Sequence, residues 1–368
     1  MGNIMDYISW RGDLSFEQSQ FNEVDNLILA CFSYVNLDGI SAVTKQKGIG
    51  LKKLTKEFMK LHTMKELEAD KSFIRLAPFM MMEMAKSVRF GKCVVRNYVN
   101  DIVTEAEQQF AAMEIVLEDG TSYVSFRGTD DTIIGWKEDF NLSTGVVPAQ
   151  KRAIEYLQKI SEHTDGMLRV GGHSKGGNLA VYAACNSSEK IINRIIEIYN
   201  NDGPGFNQEI LEIPEYQKIA KKIKKFVPEG CVFGIMLEYL EEMIVVKSDA
   251  KGLMQHSGFT WQIEGTHFVE SKAINAESQA MDTAFKSWLV KVDEETRKNA
   301  VECLFSIIEA AGIKKINDFS EKTFTHLIVA LKELKNMDSE SRNALIQFFK
   351  VLLVENNNSR KEYKKNKS

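Results

Sequence analysis

No run of the chain approaches the ~18 consecutive apolar residues that a membrane-crossing helix needs, so stable membrane insertion is not expected. Cysteine is scarce: five residues in 368, namely Cys31, Cys93, Cys185, Cys231 and Cys303, odd in number and without paired spacing. That pattern excludes a disulfide framework and a thiolate zinc site, and it points to reduced thiols in the cytoplasm. Neither charge sign dominates. Lys and Arg number 47 against 51 Asp and Glu, a net charge of −4, so no nucleic-acid surface is expected. Met1 to Leu14 lacks an apolar core and carries Asp6, Arg11 and Asp13, unlike a signal peptide. Met1-Gly2 opens like a myristoylation motif, but Asp6 stands where Ser or Thr is required. Gly48-Ile49-Gly50 lacks the later glycine of a dinucleotide loop, and no phosphate loop, paired metal-ligand histidines or internal repeat is present. No cofactor and no metal are expected.

What is present is an ordinary globular composition, 44% hydrophobic and 27% charged, in a chain long enough for one large domain or two modest ones. Residues 1–90 read as helical. Phe21, Val24, Leu27, Ile28, Cys31 and Phe32 form one stripe, Leu51 to Leu67 a basic amphipathic stretch, and Phe73 to Val88 a Met-rich one. The cluster Met80, Met81, Met82 and Met84 is read as adaptable core rather than an acyl pocket. Lys45, Lys47, Lys52, Lys53, Lys56 and Lys60 make a basic face, read as solvated surface, with contact to an anionic membrane the lesser reading.

Between 91 and 267 strands and helices alternate. Strands are predicted at Cys93–Val99, Gln109–Leu117, Ser122–Phe126, Leu168–Gly172, Ile195–Tyr199, Ile223–Val227, Met243–Lys247 and Phe259–Ile263. Helices are predicted over about Ala149–His163, Gly176–Cys185 and Asn207–Lys221. The alternation predicts an α/β fold with a mainly parallel sheet covered on both faces. Residues 268–358 read as a helical appendage with N-caps at Asp293, Ser320 and Asp338 and a stop at Gly312, and 359–368 as a basic, frayed tail.

The chain is organised around Gly172-His173-Ser174-Lys175-Gly176-Gly177, between a short apolar run and a small-residue helix. A serine on so tight a strand-to-helix turn has its hydroxyl pushed out, and glycines two positions either side avoid clashing with it. Ser174 is therefore read as a nucleophile; the bland alternative is a Gly-rich turn without chemistry. A serine hydroxyl needs a base, and the base needs an acid to orient it. Of the six histidines, His62, His163 and His326 lie on predicted helices, and His173 adjoins the serine with its ring directed into the fold. His256, in a loop after a late strand, is preferred to His267. For the acid, Asp202 at the end of the next strand ranks ahead of Glu229 after the following one, with Asp249 third. The oxyanion donors are assigned to the Lys175 amide and to Thr129 in the turn Arg127-Gly128-Thr129.

Phe126-Arg127-Gly128-Thr129, then Trp136 and Asp139, then Gly172-His173-Ser174-Lys175-Gly176-Gly177, resembles the class 3 (fungal-type) lipase family. The resemblance covers roughly residues 90–265. It implies an α/β-hydrolase fold, cofactor-free ester cleavage, Ser174 as nucleophile and Thr129 as oxyanion residue. The whole chain, through Asp202-Gly203-Pro204-Gly205 to Gln255-His256, looks closer to a bacterial lipase-like branch. It departs from the fungal-type pattern at Lys175, where those lipases carry Leu, and at Pro228-Glu229-Gly230-Cys231, where they carry the acid Asp. The expected protein is thus a cytoplasmic serine esterase acting on a small acyl ester or lipid. Its rivals are a non-catalytic scaffold on the same fold and a thioesterase or acyltransferase. The helical segment Asn207–Lys221 and the first helical region are lid candidates by position.

Overall fold

A computed structural model describes residues 1–70, 72, 74–103, 108–129, 137, 138, 140–142, 145–310, 312, 330, 338–343, 345 and 346. Among these residues eight strands form one sheet in chain order: β1 (Ile49–Gly50), β2 (Val94–Val103), β3 (Gln108–Val116), β4 (Ser122–Phe126), β5 (Leu168–His173), β6 (Ile195–Asn201), β7 (Ile223–Pro228) and β8 (Met243–Val246). β1 to β4 pair antiparallel, and β4 to β8 run parallel. β4 is buried at every position and β5 at all but Arg169, because both faces of the sheet are covered.

Five helices lie in the first 90 residues: α1 (Ile4–Arg11), α2 (Glu23–Phe32), α3 (Leu51–Leu61), α4 (Met64–Ala69) and α5 (Ala77–Lys86). Among the parallel strands come α6 (Pro148–His163), α7 (Lys175–Cys185), the single turns α8 (Glu189–Ile192) and α9 (Gln208–Leu211), and α10 (Pro214–Ala220). α11 (Ala276–Lys291) and α12 (Glu294–Ala310) follow the sheet. Consecutive strand residues part to opposite faces, as the pleat requires. Val124, Ile198 and Val227 enter one core with α6, α7, Trp288 and Phe305. Tyr123, Tyr199 and Phe226 enter the other with α1, α2 and α5. This three-layer arrangement is an α/β-hydrolase fold, with the N-terminal helices supplying one of its layers.

Two helices show why the layers close. Residues 24 to 32 of α2 are all buried, since the helix lies between the sheet and its N-terminal neighbours. Its start is fixed by a capping box, Asn22 accepting from the Asp25 amide while Asp25 accepts from the Asn22 amide. Asp25 is also a buried ion-pair partner of Arg89, whose guanidinium donates to the carbonyls of Leu14, Ser15, Ser19 and Gln20. That pair ties the 12–22 segment down. α7 is buried throughout, and its Gly176, Gly177, Ala180, Ala183 and Ala184 let it approach β5 and β6 closely.

Four details differ from the sequence reading. β1 was not expected; it is only two residues long and adds an edge beside β2. The helix expected over Leu51–Leu67 divides at His62, whose backbone is extended, and Thr63 caps α4 with Glu66. The Met-rich helix begins later, at Ala77, with Pro78 in its first turn, and Met80, Met81 and Met84 are fully buried core. The last strand is displaced. Gly258–Thr260 forms a 3₁₀ turn, and β9 (Ile263–Glu264) and β10 (His267–Phe268) make a separate hairpin about Gly265, φ +64°. Asp293 and Asp338 cap helical turns as expected, through Thr296 and Ser341. Trp136, Asp139, Ser320, His326, the apolar stripes from Phe324 and Phe348, and the 359–368 tail lie outside the described residues. No described helix is long and apolar enough to cross a membrane.

Candidate active site

The site gathers at the carboxyl ends of the parallel strands, where successive strand-to-helix loops converge. β5 ends at His173, and Ser174 stands at φ +59°, ψ −136° before α7 begins at Lys175. A non-glycine residue in that region is strained and persists only where its surroundings enforce it. Here the backbone on either side of Ser174 enforces it. A Cβ on Gly172 would lie 2.3 Å from the Gly176 carbonyl carbon, and one on Gly176 would lie 2.1 Å from the Phe126 oxygen. The Ser174 amide donates to Asn201 at 2.8 Å, which fixes the elbow to β6. Beneath it, Asn201 donates to the Gly172 oxygen, and Asn26 donates to Asn201 while accepting from Tyr123.

The next strand delivers Asp202. It sits just past β6 at φ +53°, fully buried, and its own amide donates to Phe226 at 2.7 Å. The loop behind it is nailed in place. Gly203 donates to the Asn200 side chain, Lys225 Nζ donates to the Gly203 oxygen at 2.7 Å, and Asn178 donates to the Gly205 oxygen at 2.8 Å. Asp202 Oδ1 accepts from the Gly234 amide at 3.1 Å, and Oδ2 accepts from His256 Nδ1 at 2.6 Å.

His256 ends a 3₁₀ turn, Gly252–His256, and three ties hold that turn. The Gly230 amide donates to the Gln255 side chain, the Trp261 indole donates to the Gln255 oxygen, and His173 Nε2 donates to the His256 oxygen at 2.6 Å. The His256 ring lies 4.5 Å from Phe233 and 4.6 Å from His173, centroid to centroid. Burial pushes the His256 imidazolium down, to about 3, and pushes the Asp202 carboxyl up, to about 8, against the opposing influence of His173, Lys225 and Gly234. Burial thus disfavours charge on both members of the pair. Ser174, 5% exposed, makes no side-chain hydrogen bond among the described residues.

The other sequence candidates stand elsewhere. Glu229 accepts from the Ser271 hydroxyl, and Asp249 accepts from Gln262 at 2.6 Å. His267 is exposed beside Glu23, His62 lies on the Phe58 ring, and the His163 ring bonds the Lys159 oxygen. Gly128, one residue before Thr129, packs on the elbow: a Cβ there would lie 3.0 Å from Ser174 Cβ and 2.3 Å from the Tyr34 hydroxyl. The Lys175 amide opens α7, but its side chain turns away into a fully buried ion pair with Glu138 and also donates to Gln109. No three His, Cys, Asp or Glu residues cluster to hold a metal among the described residues.

A sequence model of the Mbeg1-like family matches residues 84–306, more than half of the chain. The chain belongs to the Mbeg1-like family. This Mbeg1-like chain is similar to a crystal structure of M37 lipase at 17% identity and a TM-score of 0.35, over 57% of this chain and 68% of that one. It is also similar to a mutant form of MDLA from Penicillium cyclopium at 12% identity and a TM-score of 0.38, over 71% of this chain and 90% of that one. No curated protein matches it. The Mbeg1-like matched region includes the elbow, Asp202 and His256, while α1 to α4 precede it.

Sequence reasoning missed the contact of His173 with the His256 turn, the Tyr34 hydroxyl 2.9 Å from His173 Nδ1, and the pairing of Glu138 with Lys175. A histidine immediately before the serine was the one available signal, and its ring was expected only to point inward. Tyr34 follows a helical stripe, and nothing in the sequence links it to a residue so distant in the chain.

Proposed function

We propose that the chain is a cofactor-independent serine hydrolase of carboxylic esters. The observation that carries this reading is the 2.6 Å contact of His256 with Asp202, in a turn bonded to the residue beside Ser174. As the Ser174 oxygen bonds the ester carbonyl carbon, its proton passes to His256 Nε2 and the carbonyl electrons move to oxygen. The Thr129 and Lys175 amides hold that oxyanion, with the electropositive end of α7 behind them. Collapse expels the alcohol, which takes the proton from His256, and leaves an acyl-enzyme. Water then attacks by the same route and releases the acid. Asp202 keeps the ring in the tautomer that leaves Nε2 free to accept.

The substrate class is a small acyl ester or a lipid, and no nucleic acid is involved. The five thiols are free, four of them buried, which supports a reducing, cytoplasmic setting. The division into 1–90, 91–267, 268–358 and 359–368 belongs to the same reading.

The test combines fluorophosphonate labelling with turnover of p-nitrophenyl esters by the folded chain. The expected result is one adduct, on Ser174, and activity abolished by Ser174→Ala. A folded protein that neither labels nor turns over esters would make the chain a non-catalytic member of its fold. Labelling without ester turnover, followed by activity on thioesters, would move the substrate class to thioesters.

A further inference from the structure

We propose that His173 is a positioning residue of the reaction proposed above, tying the base loop to the nucleophile's own backbone and held in the required tautomer by Tyr34.

A backbone carbonyl only accepts, so the 2.6 Å contact between His173 Nε2 and the His256 oxygen puts the proton on Nε2. In the neutral ring Nδ1 is then an acceptor, and the Tyr34 hydroxyl stands 2.9 Å from it as donor. Burial pushes the His173 imidazolium down to about 3, so the ring is neutral at working pH. A charge there would oppose protonation of His256, whose ring centre is 4.6 Å away. Ser174 is the next residue in the chain. The nucleophile and the base loop, which belong to segments 83 residues apart, therefore move as one body while this bond holds. Tyr34 extends the tie to a third segment: its hydroxyl also faces Gly128 and lies 3.4 Å from the His173 oxygen. Steric fit demands glycine at 172 and 176 but makes no demand for histidine at 173. A leucine would fill the space without donating to the loop.

The test uses the full chain, p-nitrophenyl butyrate and three variants. Because the proposal rests on the hydrolase reading, wild-type turnover and its loss in Ser174→Ala are measured first; failure there overturns that reading and this one together. With turnover established, His173→Leu should lower kcat about tenfold to a hundredfold while KM stays within about twofold, the pattern of lost alignment rather than lost binding. His173→Gln, whose amide can donate to the loop and accept from Tyr34, should recover most of kcat. Tyr34→Phe should lower kcat by a smaller factor. Nitrogen-15 spectra of the wild type, with His173 assigned from the His173→Gln spectrum, should show the Nε2–H tautomer, a reading that needs no destabilised variant. An Nδ1–H tautomer, an unchanged kcat in folded His173→Leu, or a glutamine variant as slow as the leucine one would overturn the proposal.

Discussion

Asp202 and His256 stand 54 residues apart in the chain and 2.6 Å apart in the fold. Each reaches the meeting point on a loop that something else immobilises: Lys225 and Asn178 for the first, Gln255, Trp261 and His173 for the second. Asp202→Asn replaces an acceptor with a group that can present an amide donor, and so favours the wrong imidazole tautomer. If Asp202 orients His256 as proposed, the expected loss in kcat is about 10⁴, the size seen when the orienting Asp of a Ser-His-Asp triad becomes Asn. Glu229→Gln removes a charge that faces Ser271 and should change kcat/KM by less than about threefold. Steady-state kinetics on one ester distinguishes the two carboxylates.

The elbow is a space problem as much as a chemical one. Gly172→Ala and Gly176→Ala each drive a methyl within 2.3 Å of backbone atoms that cannot move aside. Each should cost about 3 kcal/mol or more, the upper end for overpacking. Gly50→Ala is the control, since its φ is −64° and nothing lies within 4 Å of the new methyl. Urea midpoints of the three variants test the contrast.

Lys175 and Glu138 form an ion pair with side chains 0% and 2% exposed. Glu138→Gln strands a buried ammonium and should destabilise the fold by about 3–5 kcal/mol. Lys175→Met combined with Glu138→Leu removes both charges together, and should restore most of that loss because no unpaired charge remains. Chemical denaturation of the wild type, Glu138→Gln and the double variant measures the difference. If the double variant proved as unstable as Glu138→Gln alone, something other than the stranded charge would be responsible.

His173 also makes a stability prediction. Its folded value, about 3, lies below the ordinary 6.5, so between those limits the unfolded chain binds a proton that the folded one refuses. Its contribution to stability is therefore complete above pH 6.5 and is lost as pH falls toward 3. Substitution by Gln should flatten the decline in unfolding free energy by about 1.4 kcal/mol per pH unit through pH 4–6. Denaturant titrations at pH 4, 5, 6 and 7 read the slope directly.

The strand–helix alternation was legible where a turn punctuates the chain, as at Ser122–Phe126 after Glu118-Asp119-Gly120, where the predicted and observed bounds coincide. The helix boundaries near His62 and Ala77 were less so, since a cap or a proline shifts a boundary without changing the periodicity. β1 was not legible at all: two residues carry no period, and only the neighbouring β2 makes them a strand.

Within the site the same division holds. The sequence by itself determined the elbow, because Gly172, Ser174 and Gly176 are constrained by atoms within a few residues and by the strand beside them. It narrowed the acid to a few carboxylates at strand ends and could go no further. Which of them faces His256, and that His173 should grip the His256 carbonyl with Tyr34 behind it, was decided only when segments 54, 83 and 139 residues apart packed together. Local spacing cannot encode such contacts, because each depends on where an entire layer of the fold comes to rest.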